Sequence, residues 1–336
     1  MTSPALSLNL TLEIIGDFPT LLKLEHEWRQ LAETSEFLAP SQSPQWLLPW
    51  WNHFGSGELR VFVLRLNGNL AGVVPCFLHL WEGRRQLTLI GSGVSDYLEP
   101  PIATDIVPHA MKALGQALEI RDDWDVCNWQ DLNSETPLTR ILGDGLCITV
   151  QGDIECTAIP VTGDFQQYWT ERPRGLRRNV KRYLGKAKSI AQPEFLVSLK
   201  PEPEIMNALI GLHGARWRRS GSPGMIAENR LVPFLREMAS VFADAGALRL
   251  FSLRFENRIV SVILSFVFRD TLFSYLSAFD PEYESLGFGR TLLYDSVRYA
   301  FEEGYRSWDF LRGNEAYKFD WGAKRIPKRR VLIVRK

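Results

Sequence analysis

The chain has 336 residues, about two domains' worth at roughly 150 residues per domain. It is 45% hydrophobic, 12% aromatic and 23% charged, which suits an ordinary packed core and excludes low complexity as the main state. Lys+Arg and Asp+Glu each number 39, so the formal charge is zero, which argues against an obligate nucleic-acid coat but allows a local basic patch.

The opening stretch MTSPALSLNL lacks a basic region followed by a long apolar run, so no signal peptide is expected. A helix is predicted over roughly 19–33, a long hairpin over 59–80, a strand over 86–92, a helix over 106–120 and a strand over 124–131. The hairpin turn is Asn67-Gly68-Asn69, and Asn-Gly between two β-rich runs is a strong hairpin signal. The same series then returns. Helices are predicted over 203–219 and 230–245, a hairpin over 248–268, a strand over 271–279, a helix over 289–303 and a strand over 307–312. Leu59-Arg60-Val61-Phe62-Val63-Leu64-Arg65 reappears as Leu248-Arg249-Leu250-Phe251-Ser252-Leu253-Arg254, and Trp124-Asp125-Val126 is echoed by Trp308-Asp309-Phe310. The period is too long for a solenoid and predicts two similar α/β domains in tandem, residues 1–155 and 156–336.

The most apolar run, Ile259–Phe268, is closed by Arg258 and Arg269 and is about half a membrane span, so it reads as a buried strand. Cys76, Cys127, Cys147 and Cys156 show no CxxC spacing and no accompanying His cluster. That argues against a structural zinc and for a reducing compartment. The protein is expected to be soluble and cytoplasmic, with no metal.

Between the halves, residues 174–188 carry Leu176, Val180, Leu184 and Ala187 near one helical face and otherwise only basic and neutral residues. Two readings stand: a plain solvated face, or an anion-binding surface for cofactor or substrate phosphates. RNA binding lacks the aromatic platforms of a single-strand binder.

There is no GxxxxGK[ST], GxSxG or HExxH motif, and the five His residues show no ligand spacing. One arrangement in the second half has a mechanism. The strand Thr271–Phe279 ends in Asp280-Pro281, and Gly287 and Gly289 open a helix with an apolar stripe of Leu292, Leu293, Val297, Ala300 and Phe301. Glycines at a helix start admit a ligand close to unsatisfied N–H groups, which favours phosphate, although many such loops are simple turns. After that helix, residues 308–322 set Asp309, Arg312, Glu315, Tyr317 and Lys318 among aromatics at a strand end, where α/β enzymes place reacting groups and where structural ion pairs are also common.

These residues resemble a known family. Ser43-Pro44-Gln45-Trp46 with Trp50-Trp51, the stretch Gly91–Tyr97, Arg216-Trp217, and Phe310-Leu311-Arg312-Gly313 followed by Tyr317-Lys318 and Trp321-Gly322 span most of the chain. Together they resemble a GNAT-superfamily acyltransferase of the CelD/BcsL type, whose domain is called BioF2-like, and more distantly the FemAB peptidyltransferases. The resemblance implies an α/β (α+β) fold of two tandem GNAT-like domains, each a mixed, mostly antiparallel sheet flanked by helices. It implies acetyl-CoA or another acyl-CoA as donor, with one donor site in the second domain and no CoA loop in the first. The family's R/Q-x-x-G-x-G/A loop maps to Glu284–Gly289, with Glu284 where the family has Arg or Gln. Donor binding is thereby given to Ser277, Ala278, Gly287, Phe288, Gly289 and Arg290, the backbone N–H groups near Ser277-Ala278 holding the oxyanion. Asp309 and Glu315 are the candidate bases and Tyr317 the acid for the leaving thiolate. Asp96, Tyr97, Arg216, Trp217, Arg312 and Lys318 are the candidate acceptor-binding residues, Arg312 orienting an anionic group. Strand alternation puts Asp309 and Arg312 on opposite faces. The acceptor is expected to be a small molecule or a sugar or cell-envelope precursor. A FemAB-like use of charged tRNA stands second and a non-catalytic partner-binding protein third; DNA is not expected.

Overall fold

The computed structural model describes residues 9–35, 39–219 and 229–336, with side chains in the second stretch up to residue 215. Met1–Leu8, on which the expectation about a leader largely rests, lie outside the described residues. In chain order the elements are β1 (Leu10–Ile15), α1 (Phe18–Lys23), α2 (Glu25–Thr34), α3 (Pro44–Phe54), β2 (Glu58–Leu66), β3 (Asn69–Trp81), β4 (Arg84–Leu89), α4 (Val107–Ile120), β5 (Val126–Asn133), β6 (Leu146–Pro160), α5 (Phe165–Thr170) and α6 (Arg174–Lys188). They continue as β7 (Glu194–Ser198), α7 (Pro203–Arg219), α8 (Leu231–Asp244), β8 (Leu248–Phe255), β9 (Arg258–Phe268), β10 (Thr271–Phe279), α9 (Phe288–Glu302), β11 (Ser307–Arg312), α10 (Ala316–Asp320) and β12 (Lys324–Arg335).

The chain divides into two compact units, residues 1–154 with 327–336, and residues 155–326. In the first unit the strands run β1-β2-β3-β4-β5-β12, antiparallel except between β4 and β5. In the second they run β7-β8-β9-β10-β11-β6, antiparallel except between β10 and β11. The repeat seen in the sequence is therefore one path taken twice: an edge strand, a hairpin, a third strand, a crossover helix (α4 or α9) and a strand parallel to the third. A parallel pair needs such a crossover. The fold class is the mixed, mostly antiparallel α/β arrangement expected from the sequence.

The sequence reading assigns everything after residue 155 to the second half, whereas residues 327–336 lie with the first unit. The cause is packing. Val331 and Ile333 are fully buried and lie opposite Trp129 and Cys127 of β5. In the second unit β6 takes the equivalent place beside β11.

Both hairpins turn on two residues with positive φ, Asn67 (50°) and Gly68 (86°) in the first, Glu256 (48°) and Asn257 (63°) in the second. This is the geometry whose twist matches the strands it joins. In α9 the buried face is Phe288, Leu292, Leu293, Val297 and Ala300, each large side chain contributing about 1.5–3 kcal/mol by leaving water. Helix α6 buries Leu176, Val180 and Ala187 in the same core and turns Arg178, Lys181, Arg182, Lys186 and Lys188 to solvent.

One carboxyl sits inside the first unit. Glu99 is 7% exposed and accepts hydrogen bonds from the Thr136 hydroxyl (2.7 Å) and the Asn133 N–H (3.0 Å). Burial pushes it up to about 7 from an ordinary 4.5, while Thr136, Asn133 and the charge of Lys328 pull in the other direction. A carboxyl that holds its proton more tightly when folded favours the fold at low pH, and that contribution is lost as pH rises from about 4.5 through 7. Glu99→Gln should therefore gain stability relative to wild type as pH is raised from 5 to 8. Urea unfolding of both proteins at the two pH values checks this; a difference independent of pH rules out the titration.

Candidate active site

β10 and β11 pair over only three positions, Thr271–Phe273 against Ser307–Asp309. Beyond them β10 runs on to Phe279 with β9 on one side only. β11 turns away through Leu311, whose φ is +60°, and its register with β6 breaks between Asp309 and Arg312. A β-branched or bulky residue in the left-handed region needs support. Here Asp309, buried, accepts the Leu311 N–H at 2.6 Å. The parted strands open a cavity of about 370 Å³. Ser274, Ser277 and Ala278 of β10 and Phe310 of β11 form its walls, and Tyr317 of α10 joins them.

The start of α9 closes one end. Asp280 caps a short turn by accepting the Glu282 N–H at 2.9 Å, and Gly287 then takes φ 61° and ψ 33° ahead of the helix. A Cβ on Gly287 would lie 2.4 Å from the Tyr183 ring of α6, so both conformation and space demand glycine. At Gly289 a Cβ would lie 3.1 Å from the Phe279 ring. The first N–H groups of the helix have no intrahelical acceptor, and with the helix dipole they favour an anion. Glu284 and Arg290 line the same cavity. Lys186 of α6 approaches from beside it, its Nζ 3.1 Å from Ser285 Oγ, and the Arg182 guanidinium lies 5.0 Å from the Tyr183 ring centre. Arg290 thus shares the cavity wall with Glu284, and Lys186 reaches the neighbouring Ser285.

Of the residues proposed from the sequence, Ser277, Ala278, Gly287, Phe288, Gly289 and Arg290 all line this cavity, as does Tyr317. The others are placed elsewhere. Asp309 is occupied with Leu311. Glu315 is exposed and pairs with Lys318 at 2.9 Å. Lys318 is 3% exposed and its Nζ donates to the carbonyls of Arg312 (2.8 Å) and Gly313 (3.1 Å), so it ties down the end of β11. Arg312 is not among the residues lining the cavity. Asp96 and Tyr97 belong to the first unit, where Tyr97 is buried with Lys328 Nζ 3.9 Å from its ring centre. Arg216 and Trp217 fall in α7, and their side chains lie outside the described residues. The sequence reading did not single out Tyr183, because only the packing of α6 against the Gly287 turn brings it here.

Among the described residues no group of three or more His, Cys, Asp or Glu could hold a metal ion, and no helix is long and apolar enough to cross a membrane. The geometry gives Asp309 a supporting task. Asp309→Asn, which can still accept the Leu311 N–H, should keep the fold and most activity, whereas Asp309→Ala should lose about 1–3 kcal/mol of stability by leaving that N–H buried and unpaired. Chemical denaturation beside turnover checks this. A well-folded but inactive Asp309→Asn would instead make Asp309 a base.

Residues 174–319 match the family model of the acetyltransferase (GNAT) domain. No curated protein matches the chain. Among solved structures the chain is similar to FemX, at 11% identity and TM-score 0.66, covering 91% of this chain and 95% of that one. It is also similar to L-PGS from Bacillus licheniformis, at 13% identity and TM-score 0.54, covering 90% and 94%. A tandem GNAT protein from the clavulanic acid biosynthesis pathway matches at 12% identity and TM-score 0.50, covering 97% and 98%. At these identities the likeness is one of fold. The matched domain makes the chain an acyltransferase.

Proposed function

We propose, from the acetyltransferase (GNAT) domain of residues 174–319, that the protein is an acyl-CoA-dependent N- or O-acyltransferase of the CelD/BcsL type. Its acceptor is a small molecule or a sugar or cell-envelope precursor. The observation that carries the reading is the cavity between the parted strands β10 and β11, closed at one end by the glycine-started helix α9. The donor's pyrophosphate rests on the N-terminus of α9, where Gly287 and Gly289 let it approach the backbone. The thioester enters between the strands. The edge of β10 that faces away from β9 supplies N–H groups near Ser277-Ala278 to the oxyanion formed when the acceptor attacks. Tyr317, on the cavity wall, gives a proton to the departing thiolate. Asp309 and Glu315 do not line the cavity, so the acceptor's proton leaves to solvent and a neutral amine or a hydroxyl is the attacking form.

A second reading, a donor carried on tRNA, is favoured by one observation: α6 presents Arg178, Lys181, Arg182, Lys186 and Lys188 to solvent with no acid among its residues. The test is calorimetry with acetyl-CoA and longer acyl-CoAs on wild type and Gly289→Trp. Wild-type binding that weakens at least tenfold in the variant is the expected result, since an indole at residue 289 would occupy the space beside Phe279. No binding in either protein would overturn the acyl-CoA reading. Salt-sensitive tRNA binding, lost on reversing Arg178, Lys181 and Arg182, would then support the second.

A further inference from the structure

The first unit has a cavity of its own, of about 340 Å³. It lies beside the loop that follows the third strand and the start of the crossover helix. Its chemistry differs. The helix start here is Val107-Pro108, without glycine, and proline removes one of the N–H groups that would meet an anion. Pro100, Pro101, Ile102 and Pro137 supply apolar wall. Glu99 is in the lining, with Glu135 and Arg140 beside it. The lining sets two carboxyls, Glu99 and Glu135, against one cation, Arg140, while Lys328 behind it is taken up by Asn133 and the Tyr97 ring, and this balance does not suit a phosphate.

Two polar groups in the lining have unused capacity. Each carboxylate oxygen of Glu99 accepts one hydrogen bond, from Thr136 and from Asn133 N–H, and a carboxylate has about four lone-pair positions. The Nδ2 of Asn133 is buried and has no hydrogen-bond partner. Its orientation is fixed, because the Oδ1 of the same amide accepts from Lys328 Nζ at 3.0 Å. A buried donor left unmet costs free energy. An ammonium group offers only donors and leaves Asn133 unmet; a carboxylate offers only acceptors and meets Glu99 with like charge. A hydroxyl group donates to Glu99 and accepts from Asn133. The volume lies in the range of small-ligand pockets, and the mostly apolar wall with a few placed polar groups is their usual make-up.

We propose that the first unit binds a neutral polyhydroxy compound of monosaccharide size in this pocket, held by Glu99 and Asn133. The site is separate from the proposed donor cavity, and its test reads binding and not turnover. The probes are D-glucose and N-acetyl-D-glucosamine, with hexanoate and hexylamine as charged controls, titrated by ligand-detected NMR into the full chain about one to two pH units above the value of about 7 to which burial raises Glu99, so that its carboxyl is ionised. The variants are Glu99→Gln and Asn133→Asp, both close in shape to the original; the second keeps an acceptor for Lys328 and removes the Nδ2 donor. Cooperative thermal unfolding shows that each variant is folded, and Glu99→Gln decides alone if Asn133→Asp is not. The expected result is binding of at least one sugar to wild type, about tenfold weaker in either variant, as for loss of one hydrogen bond to a buried polar group. No binding of either sugar, sugar binding unchanged by the variants, or tighter binding of hexylamine or hexanoate would overturn the proposal.

Discussion

Two parallel strands that part after three residues set a problem that shapes the second unit. A sheet satisfies its backbone through the ladder, and strands that separate leave polar groups needing other partners. At the end of β11 the molecule supplies those partners from charged side chains and from one backbone carbonyl of β6. Asp309 takes the Leu311 N–H, Lys318 takes the Arg312 and Gly313 carbonyls, and the Gly313 N–H donates to the Glu155 carbonyl at 2.9 Å. The far side of the gap, along β10 past Phe273, pairs with β9 on its other edge and, among the described residues, has no strand on the edge that faces the gap. One lip of the opening is braced and the other is left for a ligand.

The same economy holds at the helix start. Gly287 is confined by the Tyr183 ring and by its own left-handed backbone, so α6 and α9 meet through a position that admits no side chain. That contact brings α6's cations beside the mouth of the cavity, with Lys186 on Ser285. The loop that carries Glu284 thus has a cation from a different element on its Ser285, besides Arg290 in the first turn of α9. An interaction of this kind weakens with salt where it is exposed, and strengthens where the cavity excludes water.

Much of the fold was legible because it rests on local signals. Asn67-Gly68 marks its turn, the 3.6-residue stripe of α9 is plain, and the span of α6 follows from Leu176, Val180 and Ala187. Less legible were elements whose reasons are tertiary. Helix α3 contains Pro49 and is apolar nearly all round, so its period is hidden. Strand β12 carries Lys324, Arg325, Lys328, Arg329 and Arg330, and no element is predicted there from the sequence, because its burial rests on Val331 and Ile333 meeting β5. The glycine loop pointed to residues that line one cavity, because a turn of positive φ at a helix start is a backbone feature that the sequence marks directly. The strand-end cluster was harder to read, since Asp309 and Lys318 have the residue types of catalysis, and only the structure shows their burial and their bonds to the backbone of β11 and the residue after it.

The two units give the reason for expecting one donor site more sharply than the missing glycine loop does. In the first unit β4 and β5 also pair over three positions, Gln86–Thr88 against Val126–Asn128, and β5 also turns through a residue of positive φ, Asp131 at 57°. The Asp131 N–H is met by a carboxylate, that of Asp153 at 2.9 Å, as the Leu311 N–H is met by Asp309. The parting of the strands is thus common to both. What differs is the loop that follows the third strand. In the first unit the Leu98 N–H donates to the Asp131 carbonyl at 3.0 Å, and Tyr97, Leu98 and Glu99 are buried there. The chain has filled this gap with its own backbone, whereas the loop from Asp280 to Gly287 leads directly into α9 and leaves the corresponding edge of β10 open. A backbone segment seated in the gap closes in the first unit the opening that the second unit leaves along β10, whatever the residues at the start of α4.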